Sequence, residues 1–186
     1  MSYRPITDIW ILARPKVKFY GAFPAGLLHR ARALLGVSPT GAVLHICGGM
    51  VRKYPYRWLG PNDKTLDLDP VCEPDFLQDA RDPLPERVIY TANGDVPITT
   101  LWDAVLIDRP YTEADAEHYT PGADKLPSLN DLLKRALDIV PLGHRVGVLD
   151  YSWGHPGKKG IEVAVVAVGT GRNNKARWFV VYERIL

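Results

Sequence analysis

Three aspartates of this sequence, Asp67, Asp79 and Asp108, each follow an apolar run that resembles a β-strand. In an open parallel sheet the carboxyl ends of the strands share one edge, and ligands bind at that edge. Carboxylates placed there can accept hydrogen bonds from sugar hydroxyls or from the amino group of a base. Each aspartate alone could instead cap a strand end or a helix start. Three of them in this order favour a ligand site.

A pair of glycines precedes the three aspartates. Residues 42–47 form an apolar run with one histidine that stops at Gly48 and Gly49, which predicts a buried parallel strand followed by a tight turn. Such a turn lets the backbone approach a ligand closely, although it can also be no more than a turn. The spacing does not match G-x-G-x-x-G, so an ordinary dinucleotide site is not indicated. Asp67, about 20 residues further on, is placed to accept the hydroxyls of a ribose.

The segment Asp108-Arg109-Pro110-Tyr111 suits the binding of a planar amine. The carboxylate of Asp108 can accept one amino hydrogen, a main-chain carbonyl can accept the other, and the tyrosine ring can stack on a base. Held in this way, the amine nitrogen directs its lone pair outward for attack. The alternative is a strand that runs into a turn, since Asp and Pro are both common turn residues.

The predicted elements that position these residues alternate between strand and helix. Residues 25–35 and 126–140 show a helical period, which Gly36 and Pro141 end. Residues 6–12 fit either a short strand or a helical turn. Further strands are predicted at 64–68, 102–107 and 145–149, with hairpins around Asn93-Gly94 and between residues 162–168 and 177–183. This order predicts an α/β domain with a mostly parallel sheet.

Composition excludes several classes of protein. The chain has 186 residues, 46% hydrophobic and 24% charged, with a formal net charge of +2, so a nucleic-acid contact requires a local basic patch. No apolar run is long enough to span a bilayer and no signal peptide is evident, so we expect a cytoplasmic protein without membrane contact. The five histidines lack metal-ligand spacing and the two cysteines form no C-x-x-C motif, so no metal site is expected.

One loop combines cations with aromatic rings. Residues 52–58 have the sequence RKYPYRW, which suits contact with phosphates and stacking on a flipped or single-stranded base. The alternative is a solvated loop whose rings fold onto the core. Trp153 follows the strand after Asp108 and is predicted to lie where a base would enter. The predicted nucleic-acid set is therefore Arg52, Lys53, Tyr54, Tyr56, Arg57, Trp58 and Trp153.

Taken in order, these motifs resemble the Rossmann-like S-adenosylmethionine-dependent methyltransferases, in particular the DNA amino-methyltransferases with a D-P-P-Y motif. The resemblance implies a mostly parallel seven-stranded sheet with a C-terminal antiparallel hairpin and helices on both faces. It implies one domain over residues 1–186: a cofactor-covering segment and helix at 1–40 and a catalytic core at 41–186, with no separate target-recognition domain. The implied S-adenosylmethionine-binding residues are Tyr20, Phe23, Pro24, His45, Cys47, Gly48, Gly49, Asp67, Leu68, Asp79 and Ala80, and the implied catalytic residues are Asp108, Arg109, Pro110 and Tyr111.

Two departures from that family bear on activity. Arg109 stands where the family has its first proline, so backbone stiffness is lost and we expect a cation beside the target amine. The turn is G-G where many members have G-x-G. The resemblance implies methyl transfer to the exocyclic amino group of a nucleobase, with adenine in DNA favoured over RNA as the substrate. The alternatives are an RNA base methyltransferase, or a catalytically inactive protein of the same fold that binds nucleic acid as a subunit or serves as an interaction module. A homodimer or a separate recognition subunit is a further expectation.

Overall fold

The computed structural model describes residues 4–13, 23–53, 59–90, 97–119, 126–170 and 176–186. The strands are β1 (Ile6–Leu12), β2 (Val43–Ile46), β3 (Lys64–Asp67), β4 (Phe76–Leu77), β5 (Arg87–Tyr90), β6 (Pro97–Thr100), β7 (Ala104–Ile107), β8 (Arg145–Asp150), β9 (Gly160–Thr170) and β10 (Arg177–Arg184). The helices are α1 (Leu27–Leu35), α2 (Glu113–Tyr119) and α3 (Leu129–Asp138), with 3-10 turns at Gly49–Lys53 and Pro70–Cys72.

Eight strands form one sheet in the order β1-β9-β10-β8-β7-β2-β3-β4. Among the described strands of this sheet, β10 alone runs antiparallel to its neighbours, β8 and β9. The predicted parallel sheet with a closing hairpin is therefore confirmed, but it has eight strands rather than seven. The extra strand is Ile6–Leu12, which resolves the choice between strand and helical turn. It pairs in parallel with β9 at the edge of the sheet.

The central strands are covered by helices on both faces, as predicted. All four residues of β2 and of β7 are buried, which is typical of parallel strands between two layers. Alternate residues point to opposite faces, so Val43 packs in the layer of α1 whereas Leu44 packs in the layer of α3. Gly36, with φ of 70°, ends α1 by donating its backbone N–H to the Ala33 carbonyl. The Ser128 side chain caps the start of α3.

The predicted hairpin around Asn93-Gly94 forms, but it stands outside the main sheet. β5 and β6 pair only with each other among the described strands, and Asn93 and Gly94 themselves lie outside the described residues. Apolar side chains of this hairpin are exposed, including Tyr90 and Ile98. No described helix is long and apolar enough to cross a membrane.

The topology brings several strand termini to one edge. β2, β3, β7 and β8 are mutually parallel and all end there. Because β10 is antiparallel to β8, its first residues lie opposite the last residue of β8, with Trp178 paired to Asp150. The carboxyl edge therefore collects the segments after β2, β3, β7 and β8 together with the start of β10.

Candidate functional site

The glycine turn after β2 is fixed from the end of β3. Cys47 and Gly49 both have left-handed backbone conformations, with φ of 55° and 54°. The carboxylate of Asp67 accepts the Gly49 N–H at 2.9 Å and the Asp69 N–H at 3.0 Å. Each Asp67 oxygen therefore accepts one of these two hydrogen bonds, whereas a carboxylate can accept about four. Asp67 therefore orders the turn and retains acceptor capacity for a ligand.

The three aspartates of the sequence motif all follow strands that end at this edge, and each is close enough to Cys47 for its charge to act on the thiol. The pKa of the Cys47 thiol is raised. Burial is the main cause, and the negative charges of Asp67, Asp108 and Asp79 add to it. Burial likewise raises the pKa of Asp67, against the two backbone N–H groups that it accepts. The structure therefore brings the predicted acids together. Among the described residues, no group of three or more His, Cys, Asp and Glu side chains could hold a metal ion.

His45 belongs to the layer of α1 rather than to the edge. Its side chain is buried, with Nε2 3.2 Å from Asp63 Oδ2. Asp63 also accepts hydrogen bonds from Arg32 Nη1 at 3.0 Å and from the backbone N–H groups of Val43 and Gly60. A contribution of His45 to a cofactor site would therefore come from its backbone.

Asp79 and Ala80 lie at the end of β4. The Asp79 carboxylate accepts hydrogen bonds from the guanidinium and the backbone N–H of Arg81, with Nη2 2.7 Å from Oδ2, and these bonds lower the Asp79 pKa. Ala80 is buried, and its carbonyl accepts Arg135 Nη2 at 2.6 Å. The predicted adenine-side residues are thus ordered by two arginines, and Asp79 would have to share its carboxylate with a ligand.

The segment ahead of β2 contributes core residues. Phe23 is 2% exposed and packs with α1 in the core, and Pro24 is also buried. Tyr20, the third residue predicted in this segment, lies outside the described residues. Leu68, directly after β3, is exposed at the edge. At Gly48, an added Cβ would make ordinary contacts of 3.4 Å with His45 and Val51, so internal packing does not itself require glycine there.

Asp108 and Tyr111 form a bonded pair at the end of β7. The Asp108 N–H donates to the Ile46 carbonyl at 3.1 Å, which sets Asp108 beside the glycine turn. The Tyr111 hydroxyl donates to Asp108 Oδ1 and accepts from Arg177 Nη1 at 2.9 Å. The Arg177 guanidinium also lies 5.8 Å from the centre of the Tyr111 ring, and the Tyr151 ring lies 4.6 Å from it in a T-shaped contact.

Sequence reasoning missed Arg177 and Tyr151 as members of this cluster. They lie far from Asp108 along the chain. The parallel pairing of β8 with β7 brings Tyr151 to the same edge, and the antiparallel register of β10 against β8 brings Arg177 there. The predicted closing hairpin pairs residues 177–183 with 162–168, but it does not by itself set them against β8, so this signal was incomplete. The Tyr111 ring was predicted to stack on a base. Its position is fixed by the hydrogen bonds of its hydroxyl group to Asp108 and Arg177, and the Arg177 guanidinium also lies against the ring.

Burial sets the ionisation of the pair. It raises the pKa of Asp108 to about 6, while the charge of Arg177 and the Tyr111 hydrogen bond act in the opposite direction. Burial and the Asp108 charge raise the pKa of Tyr111 well above its usual value, so the phenol stays neutral and donates. At neutral pH the arrangement therefore presents a carboxylate whose Oδ1 is occupied by tyrosine.

Arg109 turns away from the predicted amine position. Its side chain is 8% exposed, and Nε lies 2.9 Å from Oδ2 of Asp150, which is fully buried. Nη1 donates to the Pro127 carbonyl at 3.3 Å, ahead of α3. Asp150 Oδ1 accepts the Ser152 N–H at 2.8 Å. The expected cation beside the amine is instead part of a buried ion pair that joins the turn after β7 to the end of β8.

Comparisons with known proteins give a structural result and no sequence match. No protein-family model matches the chain, and no curated protein matches it significantly. TrmN from Thermus thermophilus is similar in structure, with a TM-score of 0.55 and 18% identity over 86% of this chain and 48% of TrmN, so this chain spans about half the length of TrmN. The chain has a Rossmann-like methyltransferase fold.

Two weaker similarities carry no further argument. The N-methyltransferase NodS from Bradyrhizobium japonicum WM9 gives a TM-score of 0.47 at 10% identity, covering 85% of this chain and 96% of NodS. An rRNA methylase from Streptococcus thermophilus gives 0.45 at 12% identity, covering 89% of this chain and all of the methylase. At these identities the comparisons concern the fold alone.

Within this methyltransferase fold, the predicted basic-aromatic loop is only partly described. Arg52 and Lys53 end the 3-10 turn after the glycines, and both are paired with acids: Arg52 with Asp75, and Lys53 with Glu73 at 2.8 Å. These cations are therefore partly neutralised. Tyr54, Tyr56, Arg57 and Trp58 lie outside the described residues.

Trp153 lies on the surface of the methyltransferase fold, beyond the end of β8. Its indole N–H donates to Glu162 Oε1 at 3.0 Å, and its ring lies 5.5 Å from the ring of Trp178. An acidic partner repels phosphate, so this contact does not favour a nucleic-acid backbone beside Trp153. Its predicted role at a base entrance stays a prediction.

Proposed function

We propose that the chain is an S-adenosylmethionine-dependent methyltransferase acting on an exocyclic amino group of a nucleobase. The observation that carries the proposal is the position of Asp108 beside the glycine turn: its N–H is bonded to the carbonyl of Ile46, the last residue of β2, at 3.1 Å. A cofactor held at the ends of β2 and β3 would thus face an amine held at the end of β7. When bound, S-adenosylmethionine supplies a methyl group on a sulfonium, whose transfer to nitrogen leaves a thioether and releases one proton.

The residues after β2 and β3 fit such a cofactor. Asp67 has acceptor capacity beyond its two backbone bonds and would hold the ribose hydroxyls. Packing does not require a glycine at position 48. Because Gly48 has no side chain, the backbone there is open to a ligand. Asp79 would accept the adenine amino group while keeping its bond to Arg81. Tyr20 and the segment before α1 would cover the cofactor, as the resemblance implies.

The amine would be held by two acceptors. Asp108 Oδ2 accepts one N–H, and the Arg109 backbone carbonyl accepts the other, while the Tyr111 hydroxyl keeps Oδ1 occupied and so fixes the orientation of the carboxylate. Displacement at a sulfonium requires alignment of nitrogen, carbon and sulfur more than strong base catalysis, so positioning is the main effect asked of these groups. The protonated form of Asp108 would lose an acceptor, so transfer requires the carboxylate.

The preferred substrate in this proposal is adenine in DNA, with RNA as the alternative. A second candidate function is an inactive subunit that binds nucleic acid, and one observation favours it. Tyr111, which would stack on the target base, is bonded to Asp108 and contacted by Arg177. Transfer would require this ring to make room for a base.

Calorimetric titration and methyl transfer test the proposal together. The protein is titrated with S-adenosylmethionine and S-adenosylhomocysteine, and transfer of labelled methyl is then measured on single- and double-stranded DNA and on RNA. We expect micromolar cofactor binding and label on DNA, with Asp108→Asn binding cofactor normally but transferring nothing. Label on RNA alone would move the substrate to RNA. Binding without transfer to any nucleic acid would favour the inactive subunit, and no binding would refute the proposal.

A further inference from the structure

Among the described residues, one face of the main sheet is left uncovered at its β1 edge. The even-numbered residues of β1 face the layer of α1, where Trp10 and Leu12 are buried. The odd-numbered residues face the other side, where Ile9 is 69% and Ile11 is 74% exposed. On that side α3 packs over the middle of the sheet, and the described segment between β8 and β9 forms no helix. Two large aliphatic side chains therefore project into solvent from a regular strand.

These isoleucines belong to a continuous apolar patch. Ile9 pairs with Ala167 on β9, and Ala167 pairs with Trp178 on β10, so the three side chains lie in one row on one face. The row continues to Trp153, whose ring packs against Trp178. Ile11 lies over Gly169, next to the row. We call Ile9, Ile11, Ala167, Trp153 and Trp178 the sheet-face patch.

We propose that the sheet-face patch is the interface between two copies of this chain, packed face to face about a two-fold axis. This inference is independent of the proposed methyl transfer. The two isoleucines form one ridge of the patch and the two tryptophans form another, and the small Ala167 leaves a groove between them. A ridge of one copy can therefore pack into the groove of the other. Such self-complementarity is what a two-fold contact requires.

The apolar area of the patch matches what a stable dimer needs. The two tryptophans are 47% and 38% exposed. Taking about 180 Å² for an exposed isoleucine and about 250 Å² for a tryptophan, the large side chains offer roughly 450 Å² of apolar surface. A standard interface buries about 800 Å² per partner, of which about 56–65% is apolar, or roughly 450–520 Å².

Charge favours a second copy over nucleic acid. The members of the patch are uncharged, and Glu162, which borders it, is acidic and already bonded to Trp153. Asp150, opposite Trp178, is fully buried and paired with Arg109. A nucleic acid would need cations, which the described members of the patch do not supply, whereas a two-fold contact sets identical residues against each other near its axis and is favoured by an uncharged surface.

The free edge of β1 is a poorer contact than its face. Asp8 accepts the Ile9 backbone N–H at 2.8 Å and the Trp10 indole N–H at 2.8 Å, so its carboxylate caps a donor that edge pairing would use. Capped or charged edges resist strand addition. The inferred contact therefore uses the face of the sheet.

Sedimentation equilibrium of the full chain at about 1 to 100 µM tests the interface, since dimers of this size commonly dissociate in or below that range. We expect a dimer. Ile9→Thr and Ile11→Thr, which keep β-branched strand formers, should each raise the dissociation constant at least about tenfold. Ile6→Thr is the matched control, because Ile6 is 59% exposed on the opposite face of the same strand, and it should leave the constant unchanged.

Two outcomes would overturn the inference. One is a wild-type chain that stays monomeric over the whole concentration range. The other is a dimer that the two patch variants leave intact. Ile98→Thr on the exposed β5–β6 hairpin is included for this purpose, since loss of the dimer in that variant alone would place the interface on the hairpin. Circular dichroism of each variant confirms that the comparison is between folded proteins.

Discussion

Breaking the buried ion pair between Arg109 and Asp150 should destabilise the protein strongly. Asp150→Asn keeps the shape of the side chain and an oxygen for the Ser152 N–H, but it removes the charge that faces Arg109 at 2.9 Å. Arg109 then remains 8% exposed without a counter-charge. Leaving a buried charge unpaired typically costs about 3–5 kcal/mol. With a urea dependence of about 2 kcal/mol per molar, the midpoint of unfolding should fall by about 2 M.

The matched control is an exposed ion pair of the same chain. Lys159 lies 2.6 Å from Asp138, and their side chains are 42% and 46% exposed. Asp138→Asn should cost less than about 1 kcal/mol, because water screens an exposed pair. If Asp150→Asn costs no more than Asp138→Asn in urea unfolding followed by circular dichroism, the argument from burial is refuted.

Replacing both members of the buried pair separates stability from positioning. Arg109→Met together with Asp150→Leu should leave the free energy of unfolding within a few kcal/mol of wild type or above it, because packed apolar residues often replace a buried pair without loss. In this variant the turn after β7 loses its ion pair to β8, and the hydrogen bond from Arg109 Nη1 to the Pro127 carbonyl is lost as well. We expect normal cofactor binding and reduced methyl transfer. Unchanged transfer would show that the ion pair serves stability alone.

Three further predictions follow from the site. Because burial raises the Asp108 pKa to about 6, Asp108 makes the folded protein bind more protons than the unfolded chain between pH about 4 and 6. Its contribution to the free energy of unfolding should therefore fall by up to about 3 kcal/mol as pH rises through that window, and Asp108→Asn should remove this contribution. Over the same window methyl transfer by the wild-type protein should rise, because Asp108 becomes ionised. Arg177→Ala should reduce transfer and leave cofactor binding intact, because Arg177 holds the Tyr111 hydroxyl at 2.9 Å; equal loss of both would contradict this. Asp67→Ala should weaken cofactor binding at least about tenfold, as loss of charge-assisted hydrogen bonds does, and calorimetry showing wild-type affinity would contradict it.

The central sheet could be predicted because its signals are local. The strands β2 and β7 are short apolar runs ended by glycine or aspartate, and both are buried between two layers. The strand β1 was ambiguous for a physical reason: apolar residues occupy both its faces, Trp10 on the buried side and Ile9 on the exposed side. Periodicity cannot assign such a segment, and its pairing with β9, more than a hundred residues away in sequence, decides it.

Residues of the candidate site that directly follow a predicted strand were placed correctly at the carboxyl edge of the sheet. Contacts that depend on which strands pair with each other were missed. Asp67 and Asp108 were placed at the correct edge because parallel strands end together. Arg177 could not be connected to Asp108 without the register of β10 against β8, and Asp150 could not be connected to Arg109 without the register of β8 against β7. The side chain of Arg109 was expected at the amine because its neighbours suggest a ligand site, whereas its direction depends on a buried carboxylate from another strand.

The Arg109–Asp150 pair also explains how a turn can lose a proline and remain ordered. A proline restricts its own backbone, whereas an arginine leaves φ free and must be held from outside. Here the outside constraint has three parts: the ion pair to Asp150, the hydrogen bond to the Pro127 carbonyl, and the retained Pro110 that follows. Because two of these contacts hold the Arg109 side chain and Pro110 restricts the next residue, we expect the Arg109 carbonyl to keep a defined position. In this turn an arginine is therefore compatible with the amine-holding role proposed for that carbonyl, and its presence does not by itself argue for an inactive protein.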